Sequence, residues 1–431
     1  MTNAPLHPLT LLLVAALLAS VTLRFWLAGR QIRHVARHRG AVPERFADRI
    51  GLAAHQRAAD YTIARTRLGI VETAISAVLL LAFTLLGGLQ ALMVAAQSLF
   101  PAWPTGAAIA FVVLVTLVSG LVDLPLAAWR RFGLEQRFGF NRMTPALFIA
   151  DLLKSTLVAA VLGLPLLALV LWLMRVGGEL WWLWAWLAWI AFNLAVMVLF
   201  PTVIAPLFNR FEPLPEGEVR DRVQGLLARC GFRSRGLFVM DGSRRSAHGN
   251  AYFTGLGRAR RIVFFDTLLA RLEPDEIEAV LAHELGHFKL RHIPKRIAAS
   301  FVLSLAALWL LGWLSRQPWF YVSLGLTPEP AMTDVAALVL FFLVLPVFTF
   351  PLQPLFALAS RRHEFEADAF AARQTDARHL SSALVKLYED NAATLTPDPI
   401  HSAFHDSHPP AVQRLGRLRH THRNDHLSLP A

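Results

Sequence analysis

The sequence predicts a mainly α-helical, polytopic membrane protein: seven crossing helices, with a compact α+β unit between the fifth and the sixth. Three observations lead there. Hydrophobic residues make up 55% of the 431 and charged residues only 17%, with a mean hydropathy of +0.46, values outside the soluble globular range. Seven apolar runs, at roughly 8–28, 70–96, 105–128, 153–174, 180–205, 297–315 and 335–358, each approach or exceed the 20 or so residues that span a bilayer. Residues 208–296 and 360–431 instead mix charged, turn-forming and amphipathic patterns. The chain therefore divides into five membrane helices (1–207), a polar loop domain (208–296), helices six and seven (297–359) and a polar C-terminal domain (360–431).

The first run is followed, not preceded, by positive charge at Arg30, Arg33, Arg37 and Arg39. That is the wrong order for a cleavable signal peptide and predicts a retained helix. Trp181, Trp182, Trp184, Trp186 and Trp189 load the fifth run with interfacial aromatics. Segments 30–69, 129–154, 209–296 and 359–431 are rich in arginine, whereas the alternate connections 97–104, 175–180 and 316–334 carry only Arg175 and Arg316. By the positive-inside rule the N-terminus lies outside, and both polar domains and the C-terminus are cytoplasmic. A net charge of +12 then reads as topological signal and lipid-headgroup contact, not as a nucleic-acid footprint. The arginine-, alanine- and leucine-rich bias points to a GC-rich bacterial genome and an inner membrane. Cys230 is the only cysteine, so no intrachain disulfide can form and nothing indicates an oxidising compartment. Glu72, Asp123 and Asp151 fall in or beside apolar runs, where they either line water or mark true helix ends.

In the loop domain, Pro201, Pro206, Pro213 and Pro215 are expected to stop the fifth helix. An amphipathic helix at 216–228, a short strand at 236–240, a turn-rich stretch at 242–249 and paired strands at 250–254 and 261–265 follow, the pair joined through Gly255 and Gly257. A helix then opens at Leu272-Glu273-Pro274, with acids in its first turn. It contains Leu281 to Leu290, LAHELGHFKL.

In that stretch His283 and His287 are one helical turn apart and share a face, so two imidazoles can grip one ion, with Glu284 between them. Neutral imidazole suits Zn²⁺, and the neighbouring carboxylate can take a proton from a water the metal polarises. Such a bare HExxH pattern arises by accident in roughly one chain in a hundred of this length, and its weight here comes from lying inside a helix. A zinc peptidase needs a third ligand. Positions 290 and 293 are Leu and Ile, which rules out the pattern with a close third histidine. A glutamate on a second helix is the remaining common solution. Glu364, in RRHEFEADAF at 361–370, supplies it, with Asp368 on the same face to orient a motif histidine and Glu366 pointing elsewhere.

HELGH, HEFEADAF, SAHGNAYFTG at 246–255, APLFNRFEPL at 205–214, FGLEQRFGFN at 132–141 and SHPPAVQRL at 407–415 together resemble the type I CAAX prenyl endopeptidases, integral-membrane zinc proteases. The resemblance covers about residues 30 to 420. It implies seven helices around an intramembrane chamber, a cytoplasmic gluzincin-type zinc protease domain and one Zn²⁺ per chain. His408 would stabilise the developing oxyanion with Arg414 in support, and Asn250, Ala251 and Tyr252 would form a substrate edge strand. The family has Gln where this chain has Glu366, a position that is not a ligand. His248, His292 and His363 are read as surface or supporting histidines, and the tail from Arg417 to His426 as a solvated, lipid-facing end. The substrate implied is a peptide or protein, prenylated at a C-terminal CAAX motif. The alternative is a quality-control protease acting on unprenylated or misfolded membrane proteins. Membrane lipids are the other expected contact, with no nucleic acid and no required protein partner.

Overall fold

A computed structural model describes residues 7–232, 236–254 and 261–427. Among these described residues seven helices are long and apolar enough to cross a membrane: Pro8–Arg37, Leu52–Phe83, Pro104–Glu135, Pro145–Val176, Gly178–Phe208, His292–Leu314 and Pro330–Gln374. The first two are α1 and α2. The short apolar Gly88–Leu99 is α3, Pro104–Ala128 is α4, Pro145–Val176 is α5 and Trp181–Leu199 is α6.

The apolar run at 70–96, expected as one crossing, is two helices. α2 ends at Phe83, and Gly87, at φ 80°, turns the chain into α3. Side-chain-bearing residues avoid that left-handed backbone, and glycine adopts it without penalty. α2 also starts at Leu52, far outside the apolar run. Hydropathy marks the part of a helix in lipid; the helix itself continues into water.

Pro201 does not stop the fifth span. The residues from Phe200 to Ile204 widen into a π-helical turn and the helix resumes over Ala205–Phe208. A widened turn accommodates the ring and the missing N–H that would break a regular α-helix.

The polar segments gather at one end. There α7 (Glu218–Arg229), α8 (Pro274–Lys289) and four strands assemble with the C-terminal part. The strands are β1 (Phe211–Pro213), β2 (Leu237–Met240), β3 (Ala251–Thr254) and β4 (Arg261–Phe265), in sheet order β1-β2-β4-β3. β2 runs parallel to β4, and β1 and β3 are antiparallel edges. β1 went unread because three residues containing Pro213 carry no period, and proline is tolerated at a sheet edge. Gly255 and Gly257, expected to join β3 to β4, lie outside the described residues.

α8 starts on a capping box: Glu273 accepts from the third helical N–H, and Glu276 accepts from the Glu273 N–H at 2.9 Å. Beyond it run α9 (His292–Leu314), α10 (Thr333–Thr349), α11 (Gln353–Gln374), α12 (Ala377–Asp390), α13 (Pro399–His405) and α14 (Ala411–Leu427). A short 3₁₀ turn joins α10 to α11, so one continuous rod leaves the membrane and enters the polar domain. α8 packs against α7, α11 and α12. Its buried Ile277, Leu281 and Leu285 join Val223, Phe264, Leu380 and the post-α1 residue Phe46 in a single core. A second core, in the membrane part, is built from α1, α3, α4 and α10 residues such as Leu13, Met93, Phe111 and Phe341. The loop and C-terminal domains of the sequence reading share their core, so they fold as one body.

Between the cores lies a cavity of about 1830 Å³ lined by α1, α2, α4 and α10, by the 246–250 loop and by residues 405–411. Glu72 and Asp123 line it, Glu72 ion-paired to Arg130. Asp151 instead receives two hydrogen bonds from Arg245, at 2.8 and 3.0 Å, and ties α5 to the polar domain.

Candidate metal centre

α8 presents His283 and His287 on its buried face, and α11 crosses it so that Glu364 meets both. The Nε2 atoms of the two histidines are 3.2 Å apart. His283 Nε2 is 3.5 Å from Glu364 Oε2, and His287 Nε2 is 3.3 Å from Oε1. The three ligand atoms lie within 4.8 Å of one another. Glu364 is 5% exposed, yet its buried Oε2 has no hydrogen-bond partner. A buried carboxylate oxygen without a donor costs roughly 1–3 kcal/mol or more. Two imidazole nitrogens and an orphaned carboxylate converging on one point are a donor set that fits a divalent cation such as zinc.

The close crossing depends on Gly286. A Cβ there would lie 3.0 Å from the Ala367 Cα and 3.2 Å from its carbonyl oxygen. With glycine the two backbones touch, one turn after His283 and next to His287.

Both histidines are held from behind. His283 Nδ1 is 2.8 Å from Asp368 Oδ1, the carboxylate–imidazole arrangement that fixes ring orientation and tautomer at metal sites. Burial alone would depress the His283 pKa, but its contacts with Asp368 and Glu364 outweigh that and raise it to about 9. Those two carboxylates therefore favour positive charge at the place where a metal would bring it. His287 Nδ1 faces His292 Nδ1 at 3.0 Å, and His292 Nε2 reaches Glu366 at 2.9 Å. His292 is 1% exposed and stacked on His363 at 4.1 Å. Sequence reading gave His292 no separate role because an i+5 spacing does not share a helix face. What brings it back is Arg291, at φ 57°, which separates α8 from α9. Among non-glycine residues that backbone is uncommon and often accompanies a functional site. Glu366, set aside as pointing elsewhere, is the far end of this relay.

Glu284 is half-buried beside the two ligands, and burial pushes its carboxyl above the ordinary range. His408 Nε2 is 3.5 Å from Glu364 Oε1, with the ring open to the cavity. Burial of its surroundings lowers its pKa, so it is neutral at physiological pH.

Arg414 is placed differently from the expectation that it supports an oxyanion. It is 5% exposed, and its Nε and Nη2 grip Asp368 at 2.9 and 2.5 Å. The same Nη2 is 3.4 Å from His283 Nδ1, and Nη1 is 3.8 Å from Glu364. The guanidinium lies behind the ligands, committed to their carboxylates.

β3 is an edge strand ending at the cavity. The Ala251 N–H donates to Asn250 Oδ1 at 2.8 Å, which leaves the Asn250 side-chain NH₂ as the group it can offer. Asn250 lines the cavity, whereas Ala251 faces the core and the Tyr252 hydroxyl points to Met240 Sδ at 3.9 Å. His248 anchors the loop before β3: Nδ1 is 2.9 Å from Asn391 Oδ1, and Nε2 is 3.8 Å from Glu135, which accepts from the Tyr61 hydroxyl at 2.7 Å. The sequence offered no signal for this network, since its members are spread over some 330 residues.

Comparison with known proteins bears on the same parts. Residues 31–210 match the family described as CAAX prenyl protease N-terminal, five membrane helices, and 213–422 match peptidase family M48. The chain is 38% identical over 302 residues to CAAX prenyl protease 1 homolog of Arabidopsis thaliana, covering 69% of this chain and 70% of that one. It is 37% identical over 323 residues to CAAX prenyl protease 1 of Saccharomyces cerevisiae, covering 72% and 71%. The crystal structure of S. mikatae Ste24p superposes with a TM-score of 0.90 at 31% identity, over 96% of this chain and 100% of that one.

Proposed function

Because the chain belongs to peptidase family M48 and carries the membrane domain of the CAAX prenyl proteases, and so is an integral-membrane metalloendopeptidase, we propose that it cleaves a peptide bond near the C-terminus of prenylated CAAX-type substrates. One observation carries the reading furthest. The donor set of His283, His287 and Glu364, with its orphaned oxygen, adjoins through His408 a cavity walled by membrane helices. Peptide and lipid chain can therefore be held together at the place of cleavage.

Zinc, one per chain on His283, His287 and Glu364, would supply Lewis acidity, acidifying water and polarising the scissile carbonyl. The remaining work falls to the protein. Glu284 takes a proton from the attacking water as its oxygen bonds to the carbonyl carbon. It returns that proton to the amide nitrogen as the C–N bond breaks. His408, neutral and open to the cavity, donates to the carbonyl oxygen as negative charge builds there. Asp368 and Arg414 hold His283 and Glu364 in place. The free edge of β3 at Asn250, Ala251 and Tyr252 offers main-chain groups to an extended peptide. The arginine-rich segments gather on the side of the metal centre, which supports a cytoplasmic active site, in a bacterium at the inner membrane.

His292 and Glu366 complete a carboxylate–histidine relay to His287, so His292→Ala is expected to weaken zinc affinity by about 10- to 100-fold. Competition with a chelating dye reads this directly. Affinity equal to the parent would mean that His287 needs no support.

A cavity of about 1830 Å³ exceeds the 300–1,000 Å³ of ordinary ligand pockets, which favours quality-control proteolysis as the second reading. The deciding assay offers the detergent-purified protein a farnesylated CAAX peptide and its unprenylated twin, with 1,10-phenanthroline as control. The proposal expects chelator-sensitive cleavage favouring the lipidated peptide at least tenfold. Equal cleavage of both would move the function to general membrane proteolysis.

A further inference from the structure

Four arginines line the chamber: Arg24, Arg65, Arg130 and Arg131. Arg130 pairs with Glu72, and among the described residues the other three meet no carboxylate within 4 Å. Of these three, Arg24 is tied through the Phe350 ring to Phe404 and His405. It stands on α1 inside a membrane span and lines the chamber, and an ionisable side chain at such depth points to function by default. Its Nε donates to Ser20 Oγ at a long 3.4 Å, and its guanidinium lies 3.7 Å over the Phe350 ring. Among the described residues it forms no ion pair within 4 Å, Asp406 included, although that residue also lines the chamber.

The surroundings leave this charge uncompensated. The Phe350 ring lies 5.8 Å from Phe404 and 6.2 Å from His405, and His405 lies 4.4 Å from His401. Burial depresses both imidazoles, His401 to about 4, so neither is charged at neutral pH. The position is also apt. His405 precedes His408 by three residues, a stretch that spans about 10 Å at most, and His408 touches Glu364. An extended segment of a few residues, with one end at the metal centre, can therefore end beside Arg24.

We propose that Arg24 is a specificity subsite for the free α-carboxylate at the substrate's C-terminus, selecting peptides whose chain ends a few residues beyond the scissile bond. The subsite rests on the CAAX reading, since such a motif is C-terminal and ends in a free carboxylate. The guanidinium forks onto the carboxylate through two N–H donors, an arrangement that a C-terminal amide cannot reproduce.

The test uses four peptides of one sequence, farnesylated or not and ending in acid or amide, with the full-length protein in detergent free of anionic lipid. Lipid preference reports on the function; the acid-to-amide ratio reports on Arg24. The wild type should cleave acids about tenfold or more faster than amides in kcat/KM, mainly through KM. Arg24→Gln should bring the ratio near one, with Arg24→Lys intermediate and zinc content unchanged. A wild-type ratio near one, as a lipid phosphate seated on Arg24 would give, overturns the subsite. So does an acid preference that survives Arg24→Gln, and cleavage of none of the four overturns both readings. Should Arg24→Gln fail to fold, the wild-type ratio and Arg24→Lys still decide.

Discussion

Glu284→Gln is expected to lower kcat by about 10²–10⁴-fold while zinc remains bound at one per chain. The amide matches the carboxylate in shape but cannot accept the water's proton, so the loss falls on proton transfer. Glu284 is not one of the three converging donors, hence metal content should not follow activity down. The burial that raises its pKa also favours a group that alternates between base and acid over a permanently solvated charge. Metal analysis beside single-turnover cleavage separates the two effects. Full cleavage by Glu284→Gln would remove this residue from the mechanism, and lost zinc would make it structural.

The second large effect is on stability. Arg414→Met should destabilise the polar domain by about 3–5 kcal/mol, because it leaves Asp368 and Glu364 as buried carboxylates without their cation. Both are 5% exposed or less, and Arg414 reaches each of them. Thermal unfolding of the metal-free protein should fall by several degrees. Zinc should restore part of the loss, since it replaces positive charge in the same pocket and binds only the folded state. Adding Asp368→Asn to Arg414→Met should recover a further part, because the second change removes a charge that the first left exposed. A midpoint unchanged by Arg414→Met would show that the pair carries no net stability.

The fold was legible where a period or a composition spoke for it. Six of the seven crossings, the amphipathic α7 and the strands β2 to β4 lie close to their predicted places, because lipid and sheet each impose a pattern on the residues facing them. The errors fall where backbone chemistry decided without such a pattern. Gly87 divides a run of uniform hydropathy, and the π turn at Pro201 carries a helix past its expected stop. At the candidate metal centre, the convergence of His283, His287 and Glu364 was readable, because i,i+4 spacing and ligand chemistry leave few alternatives. Arg414 was read as support for His408, and nothing in SHPPAVQRL says that its side chain turns toward Asp368 and Glu364. His292 and Glu366 were invisible as a pair because the backbone turn at Arg291 joins them, and the Tyr61–Glu135–His248–Asn391 network because only tertiary structure brings its members together.

The contact at Gly286 bears on how such a sequence can drift. Pattern notation treats the two positions between Glu284 and His287 as free, yet at Gly286 a single methyl group would press on the backbone of Ala367, three residues from Glu364. The interval between the two ligand-bearing helices is thus set by the absence of a side chain. A substitution there leaves every ligand and the whole HExxH signature intact, and it would damage the site while a motif search still reports a complete one.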